Sequence, residues 1–305
     1  MWALQGLTYL AVLVFVFFVA RRAARYASAP MHLRWELYPV AHEVDKEYGG
    51  SFMEEMDWWT KPRRTSFFNT IKAMAIEILF VKTLWENSRK LWYVSYPFHG
   101  GLYVVIAYLA LLVLGSLVNL FGGQVAANAD WWQAALYWLT VLAGVVGMVA
   151  VSVGCLGLLA MRTFSDGLRR YSTPADYFNL VFILAVAVTG LYGWAVVDPG
   201  FSQQRAFVVG LLSLKAVALS PIFVANATLF ALFLTYLPFT HMTHFVGKFF
   251  NYHNVRWDDT PNASSQANQR ALGEALNKPI SWPAPHIGGG AGQKWVDAVT
   301  REVNK

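Results

Sequence analysis

One cysteine in 305 residues, Cys155, is too few for an iron–sulfur cluster held by this chain alone, and it rules out an internal disulfide. Such a cluster takes about four thiolates. Cys155 sits in an apolar run and is expected to be a small packed residue. Charge is scarce too, at 14% of residues, against about 25% in soluble domains. No Gly-rich phosphate loop, nucleophile motif, internal repeat or low-complexity tract stands out. No basic residue precedes Leu7, whereas Arg21, Arg22 and Arg25 follow the first apolar run at once. A cleaved signal peptide has the opposite order, so this run is expected to be a retained anchor.

What the chain has instead is apolar length. It is 56% hydrophobic, and about 20 apolar residues suffice to span a bilayer. Five runs can be read, at residues 7–20, 98–121, 132–160, 177–197 and 221–246. The predicted fold is an all-α integral membrane protein of five transmembrane helices, multi-pass in the cell inner (cytoplasmic) membrane. Basic residues cluster after the first, third and fifth runs, among them Lys61, Arg89, Arg162, Arg169, Lys248 and Arg256. The loops at 122–130 and 198–204 carry none. Positive residues favour the cytoplasm, which sets the N-terminus out and the C-terminus in. The net charge of +6 is this bias summed, so no nucleic-acid partner is expected.

The expected organisation is a first helix at 1–20, a cytoplasmic loop at 21–97, a four-helix membrane domain at 98–246 and a cytoplasmic tail at 247–305. Within the loop, Ile71, Met74, Ile78, Val81, Leu84 and Trp85 recur at helical spacing against Lys72, Glu77, Lys82 and Glu86. That pattern predicts an amphipathic helix over 67–92, on the membrane surface or against a partner. The tail is polar around 261–269 and is expected to dock against other surfaces.

With thiols excluded, the chemistry falls to histidine. Of 7 histidines, only His99, His241 and His244 lie within reach of the apolar runs. His99 opens the second run and the other two close the fifth, so all three face the cytoplasmic side. Ionisable groups in a membrane are costly and tend to be functional. Two imidazoles from antiparallel helices at one depth can ligate a haem iron from both faces. Gly100 and Gly101 remove side chains where a flat macrocycle would approach the backbone. His241 and His244 are three apart and share roughly one helix face, so spacing does not choose between them. The loop histidines His32, His42, His253 and His286 are read as hydrogen-bonded groups of a docking surface.

Several motifs carry a resemblance. They are Met31-His-Leu-Arg-Trp-Glu-Leu-Tyr-Pro-Val-Ala-His-Glu, Tyr48-Gly-Gly, Asp57-Trp-Trp-Thr-Lys-Pro-Arg and Arg89-Lys-Leu-Trp-Tyr, then Pro238-Phe-Thr-His-Met-Thr-His-Phe, Tyr252-His-Asn-Val-Arg-Trp-Asp-Asp and Trp282-Pro-Ala-Pro-His-Ile. Over nearly its whole length the chain resembles the DsrM-like cytochrome b subunits of the membrane complex that accompanies dissimilatory sulfite reductase. These are related to the nitrate reductase gamma subunit and the heterodisulfide reductase cytochrome b subunit. The resemblance implies a haem-b subunit passing electrons between the quinone pool and a cytoplasmic iron–sulfur partner like the heterodisulfide reductase catalytic subunit, alongside other membrane subunits, in sulfur metabolism. The alternatives are a gamma-like quinol oxidase subunit for another reductase, or a haem-free membrane anchor.

Matched to the gamma subunit, His99 and His244 take the positions of the cytoplasm-proximal haem ligands. His241 is then expected to contact a propionate or quinone, or to substitute as ligand. The positions of a second, distal haem fall on Leu109 and Asn226, which cannot ligate iron well. One haem b is therefore expected, with Leu109 and Asn226 filling the space of the lost one. Met148, in the third run, lacks a partner ligand there. Quinone contacts are sought at His241, Tyr103, Asn226 and Lys215, with Lys215 placed in an external surface helix. Partner anchors are sought at Trp58, Trp59, Arg34 and Trp257.

Overall fold

A computed structural model describes residues 2–28, 40–44, 51–62, 64–257, 266–282 and 292–300. They are helical, with two isolated β-bridges, Glu43 with Thr65 and Pro279 with Lys294. Two compact units divide the chain: residues 1–19 with 71–243, and residues 20–70 with 244–305.

Five helices are long and apolar enough to cross a membrane: Trp2–Ala27, Arg89–Leu120, Trp131–Phe164, Pro174–Val196 and Pro221–Phe239. They correspond to the five predicted runs. Between them lie short helices, and in chain order the helices are α1 (Trp2–Ala27), α2 (Phe67–Phe80), α3 (Lys82–Asn87), α4 (Arg89–Leu120), α5 (Trp131–Phe164), α6 (Asp166–Arg170), α7 (Pro174–Val196), α8 (Ser202–Ser213), α9 (Pro221–Tyr236), α10 (His244–Asn251), α11 (Gln266–Leu276) and α12 (Trp295–Val299). Leucine, valine and phenylalanine side chains stand exposed along the five long helices, as befits segments whose surroundings are hydrocarbon.

The boundaries depart from the expected ones in three places. The helix expected over 67–92 is broken. Val81 takes a left-handed backbone, φ 50°, between α2 and α3, a conformation that costs a β-branched residue energy. The Glu77 carboxylate holds the turn by accepting from the Thr83 N–H and hydroxyl, at 3.0 and 2.9 Å. Second, α4 begins at Arg89, nine residues before its apolar run, and carries Pro97 inside it. Third, the last run is not one helix to residue 246. Pro238 lacks an N–H, the chain tightens into a 3₁₀ turn over Leu237–Phe239, and Thr240 is extended at φ −108°, ψ 171°. The Thr240 hydroxyl then accepts from the Met242 N–H at 3.1 Å, starting a new turn. Proline and the hydroxyl together outweigh the apolar pattern.

The first unit is organised by the antiparallel pair α4 and α5, which meet along small residues. A Cβ on Gly154 would lie 2.5 Å from Phe98 Cα and N, and one on Gly101 would lie 2.6 Å from the Val151 N. Membrane helices, lacking a hydrophobic drive toward each other, gain their association from such close backbone packing. Tyr108, Leu112, Met148, Val151, Cys155, Leu180, Ile183, Ala187 and Phe201 form the core between α4, α5, α7 and the turn before α8. Cys155 is fully buried there. Helix α1 packs its first half on the α8–α9 connection, with Gln5 Nε2 donating to Lys215 O at 2.8 Å.

Gly154→Val should lower the melting temperature of detergent-solubilised protein markedly, by the equivalent of about 1–3 kcal/mol for overpacking. Gly167→Ala, where an added Cβ meets nothing within 4 Å, should leave it nearly unchanged. Equal effects would show that the α4–α5 approach is not tight.

Candidate functional site

The antiparallel order of α4, α5, α7 and α9 gathers one set of helix ends. Tyr177 OH donates to Arg162 O at 2.8 Å, linking α7 to α5, and Tyr236 OH donates to Asn179 Oδ1 at 2.9 Å, linking α9 to α7. Phe98 lies against Gly154, so the turn of α4 that carries His99 is at the same end.

His99 is half-buried there, on a helix turn fixed by the Phe98–Gly154 contact. Its Nδ1 lies 2.8 Å from the Ser95 carbonyl oxygen and 3.1 Å from the Ser95 hydroxyl. A carbonyl oxygen only accepts, so the 2.8 Å contact calls for a proton on Nδ1. That arrangement, one ring nitrogen donating to a backbone carbonyl, is how ligating histidines are commonly oriented. The neighbouring glycines differ in role from the expectation. Gly101 serves the α4–α5 contact, while a Cβ on Gly100 would meet nothing within 4 Å. Gly100 alone leaves open space beside His99.

His241 stands in the short turn after Thr240, exposed, with Nε2 3.4 Å from Asp176 Oδ1. Asp176 is the third residue of α7 and belongs to a capping box with Thr173. Arg162 approaches the same carboxylate at 4.0 Å and gives Ser172 a hydrogen bond of 2.9 Å. Because the chain is extended at Thr240, His241 and His244 are not carried on one continuous α-helix. His244 opens α10 in the second unit and is exposed.

The quinone candidates scatter. Tyr103 OH donates to Ile78 O at 2.7 Å, tying α4 to α2. Lys215 lies beyond α8, whose last residue is Ser213, so it is not in a helix, and its N–H bonds Gly210 O. Asn226 gives both amide hydrogens away, to Val186 O and Thr189 Oγ1, each at 2.8 Å. Asn226 and Leu109 do not fill the space between them: both line a cavity of about 230 Å³ within the first unit. Met148 lines it as well.

Two polar residues of α8 escaped the sequence reading. Arg205 is almost fully buried, its guanidinium 5.6 Å from the Tyr137 ring centre, and Nη1 has no hydrogen-bond partner among the described residues. Burial pulls its pKa below the usual value, and Asp198 opposes that shift. Gln204, beside it, lines the cavity. The signal was present as an adjacent polar pair, Gln204 and Arg205, ahead of an apolar stretch.

In the second unit, Trp257 is 6% exposed and packs on Tyr252 and His253, with ring centres 4.8 and 5.6 Å away, and within 6.4 Å of His42. Glu43 is buried and accepts from the Ser51 hydroxyl at 2.9 Å. Trp257 is thus a core residue rather than an exposed anchor, whereas Trp59 is 55% exposed. His32, Arg34, Trp35 and His286 lie outside the described residues. Among the described residues no group of three or more histidine, cysteine, aspartate or glutamate side chains could hold a metal ion.

The chain is similar to the Hdr-like menaquinol oxidoreductase cytochrome b-like subunit of Archaeoglobus fulgidus, 22% identical over 262 residues, 80% of this chain and 76% of that protein. The likeness is to an Hdr-like cytochrome b subunit and not to a DsrM protein in particular. No family model matches the chain, and no solved structure matches it.

Trp257→Ala should destabilise the second unit by about 3–5 kcal/mol, as large-to-small core changes do, and appear as faster limited proteolysis of the residues after 244. Trp59→Ala should leave the digestion rate unchanged. The reverse ranking would remove Trp257 from the core.

Proposed function

We propose that this multi-pass membrane protein is a haem-b subunit that passes electrons between a quinone pool and a cytoplasmic iron–sulfur partner. The observation that carries this reading is His99: a half-buried imidazole in an apolar helix, with Nδ1 bonded to the Ser95 carbonyl. The open space at Gly100 leaves room for a macrocycle beside it. His99 and His244 are the proposed axial ligands, with His241 as the alternative second ligand or the contact for a propionate. The cytochrome b subunit and menaquinol in the name of the Archaeoglobus relative support the same assignment. The finer part of the proposal is a DsrM-like place in sulfur metabolism. The terminal partner would resemble the heterodisulfide reductase catalytic subunit and dock on the cytoplasmic face.

A bound haem supplies one-electron redox chemistry at its iron. The chain's own contribution is positional and electrostatic. The α4–α5 contact fixes the His99 turn, the Ser95 carbonyl orients the imidazole ring, and the apolar helices would keep water from a bound macrocycle. His241 sits with Nε2 beside the Asp176 carboxylate.

One haem b per chain is expected, since no second pair of histidines occurs in the apolar runs. Purified protein should give a sharp reduced-state α band and a pyridine haemochrome value of about one haem per chain. His99→Ala and His244→Ala should each abolish the band, and His241→Ala should retain it with a shifted midpoint potential. A chain without an α band is a haem-free anchor. Full haem in His244→Ala with loss in His241→Ala moves the second ligand to His241.

A further inference from the structure

Within the first unit, the elbow between α2 and α3 is pinned to α4 at two points. Trp92 Nε1 donates to Phe80 O at 2.8 Å, and Tyr103 OH donates to Ile78 O at 2.7 Å. The last carbonyls of a helix have no partner within it, and in water the solvent supplies one. At membrane depth the protein has to supply it, and here side chains of α4 do so for two of them. Trp92 and Tyr103 stand about 16 Å apart along α4. The elbow is held between them, near Phe98, where the apolar run of α4 begins.

The elbow also follows one face of α4. Trp92, Tyr96, His99 and Tyr103 recur at helical spacing and share that side of the helix. Phe98 and Gly101, which meet α5, lie on the opposite side. Trp92 stacks on Tyr96 at 4.5 Å, and Trp85 of α3 lies 4.7 Å from Trp92. The elbow thus follows the face that carries His99, with one pinning bond before that residue and one after it.

The tip of the elbow is apolar on every free side. Ile76, Ile78, Leu79 and Phe80 are each 37–54% exposed, and Met74 and Glu77, on the remaining side, are buried. A helix lying flat on a bilayer needs one apolar side, whereas a tip of this kind suits insertion. Cations surround it. Lys82 is paired with Glu86 at 3.4 Å. Lys72, Arg89 and Lys90 are exposed, and among the described residues no carboxylate lies within ion-pair distance of them. The Arg89 guanidinium rests 4.7 Å over the Trp85 ring.

We infer that this elbow is a re-entrant element of the membrane. Its tip, residues 76–81, sits among the acyl chains of the leaflet on the His99 side, and Lys72, Arg89 and Lys90 meet the headgroups of acidic phospholipids. Lipid is the occupant because the tip shares its level with a membrane-spanning segment bonded to it, and because exposed cations beside an apolar insertion match an anionic leaflet. The inference goes beyond the haem reading and stands without it. Its consequence for that reading is a wall between His99 and the aqueous phase.

The test uses the purified full-length protein in nanodiscs of phosphatidylcholine and phosphatidylglycerol, with no other subunit present. A phospholipid with a diazirine on its acyl chain should label tryptic peptide 73–82 of the unmodified protein, as it labels 91–162, and spare 83–89. A nitroxide at Leu79→Cys should be relaxed by oxygen several-fold more than by a water-soluble nickel chelate, as at Ile106→Cys in mid-span. One at Asn87→Cys should show the reverse. In native mass spectra the chain should retain phosphatidylglycerol several-fold over phosphatidylcholine, and the triple change Lys72→Gln, Arg89→Gln and Lys90→Gln should remove that preference. An unlabelled peptide 73–82, or a Leu79→Cys nitroxide as open to the chelate as that at Asn87→Cys, overturns the insertion and leaves a surface for a protein subunit. Equal retention of the two lipids, or a preference that survives the triple change, overturns the headgroup contact. An α band, present or absent, alters none of these readouts.

Discussion

The close approach of α4 to α5 is the constraint on which the rest of the first unit depends. Gly154 admits the Phe98 backbone and Gly101 admits the Val151 backbone, so the two longest helices lie side by side over most of their length. In hydrocarbon there is no hydrophobic gain in burying a leucine against a leucine, and dispersion between interlocked backbones takes its place. Because Phe98 is locked, the next residue, His99, has a fixed position and direction. The face one turn further on, from Leu102 to Leu112, then has to reach α7 and α9 across whatever space the larger side chains leave, and there the cavity opens.

Polar groups in this setting are few, and most are spoken for. Ser116, Thr140, Ser152, Thr189, Thr228 and Thr235 return their hydroxyl hydrogens to carbonyls within their own helices. Asn226 bridges α9 to α7, and Tyr236 bridges them again nearer the end. A few buried groups have no partner among the described residues: Gln5 Oε1, Arg162 Nε, Asn179 Nδ2, Trp194 Nε1, Ser220 Oγ and, on α8, Gln204 Oε1 and Arg205 Nη1. Phe201, with φ 53° and no exposed surface, is wedged between Tyr108 and Gly144 immediately before them. A strained backbone of this kind persists only where packing over-determines it, and here it sets the position of Gln204 at the cavity wall.

The five spans were legible because apolar length and the scarcity of charge leave little else for those residues to form. The candidate ligand His99 was legible too, as a titratable group at the mouth of an apolar run. The breaks were harder. Nothing local distinguishes Val81 from its apolar neighbours, and its left-handed turn is held by Glu77 reaching Thr83. Pro238 was visible, but the extended Thr240 beyond it depends on a hydroxyl contact that hydropathy does not register. Trp257 looked like a docking residue because tryptophan in a polar segment often is, and only its packing on Tyr252 and His253 shows it to be core.

By itself, the sequence determined that this is a membrane protein of five apolar helices, and with a single cysteine it left histidine as the side chain by which a redox cofactor would be held. Composition settles such questions because bilayer thickness and ligand chemistry are blind to how the chain is folded. Tertiary structure alone decided which glycine packs and which leaves space, which nitrogen of His99 meets the Ser95 carbonyl, and that Leu109 and Asn226 border a cavity instead of closing it. Each of these depends on distances between residues far apart in the chain or on the orientation of a single ring, and helix periodicity carries no information about either.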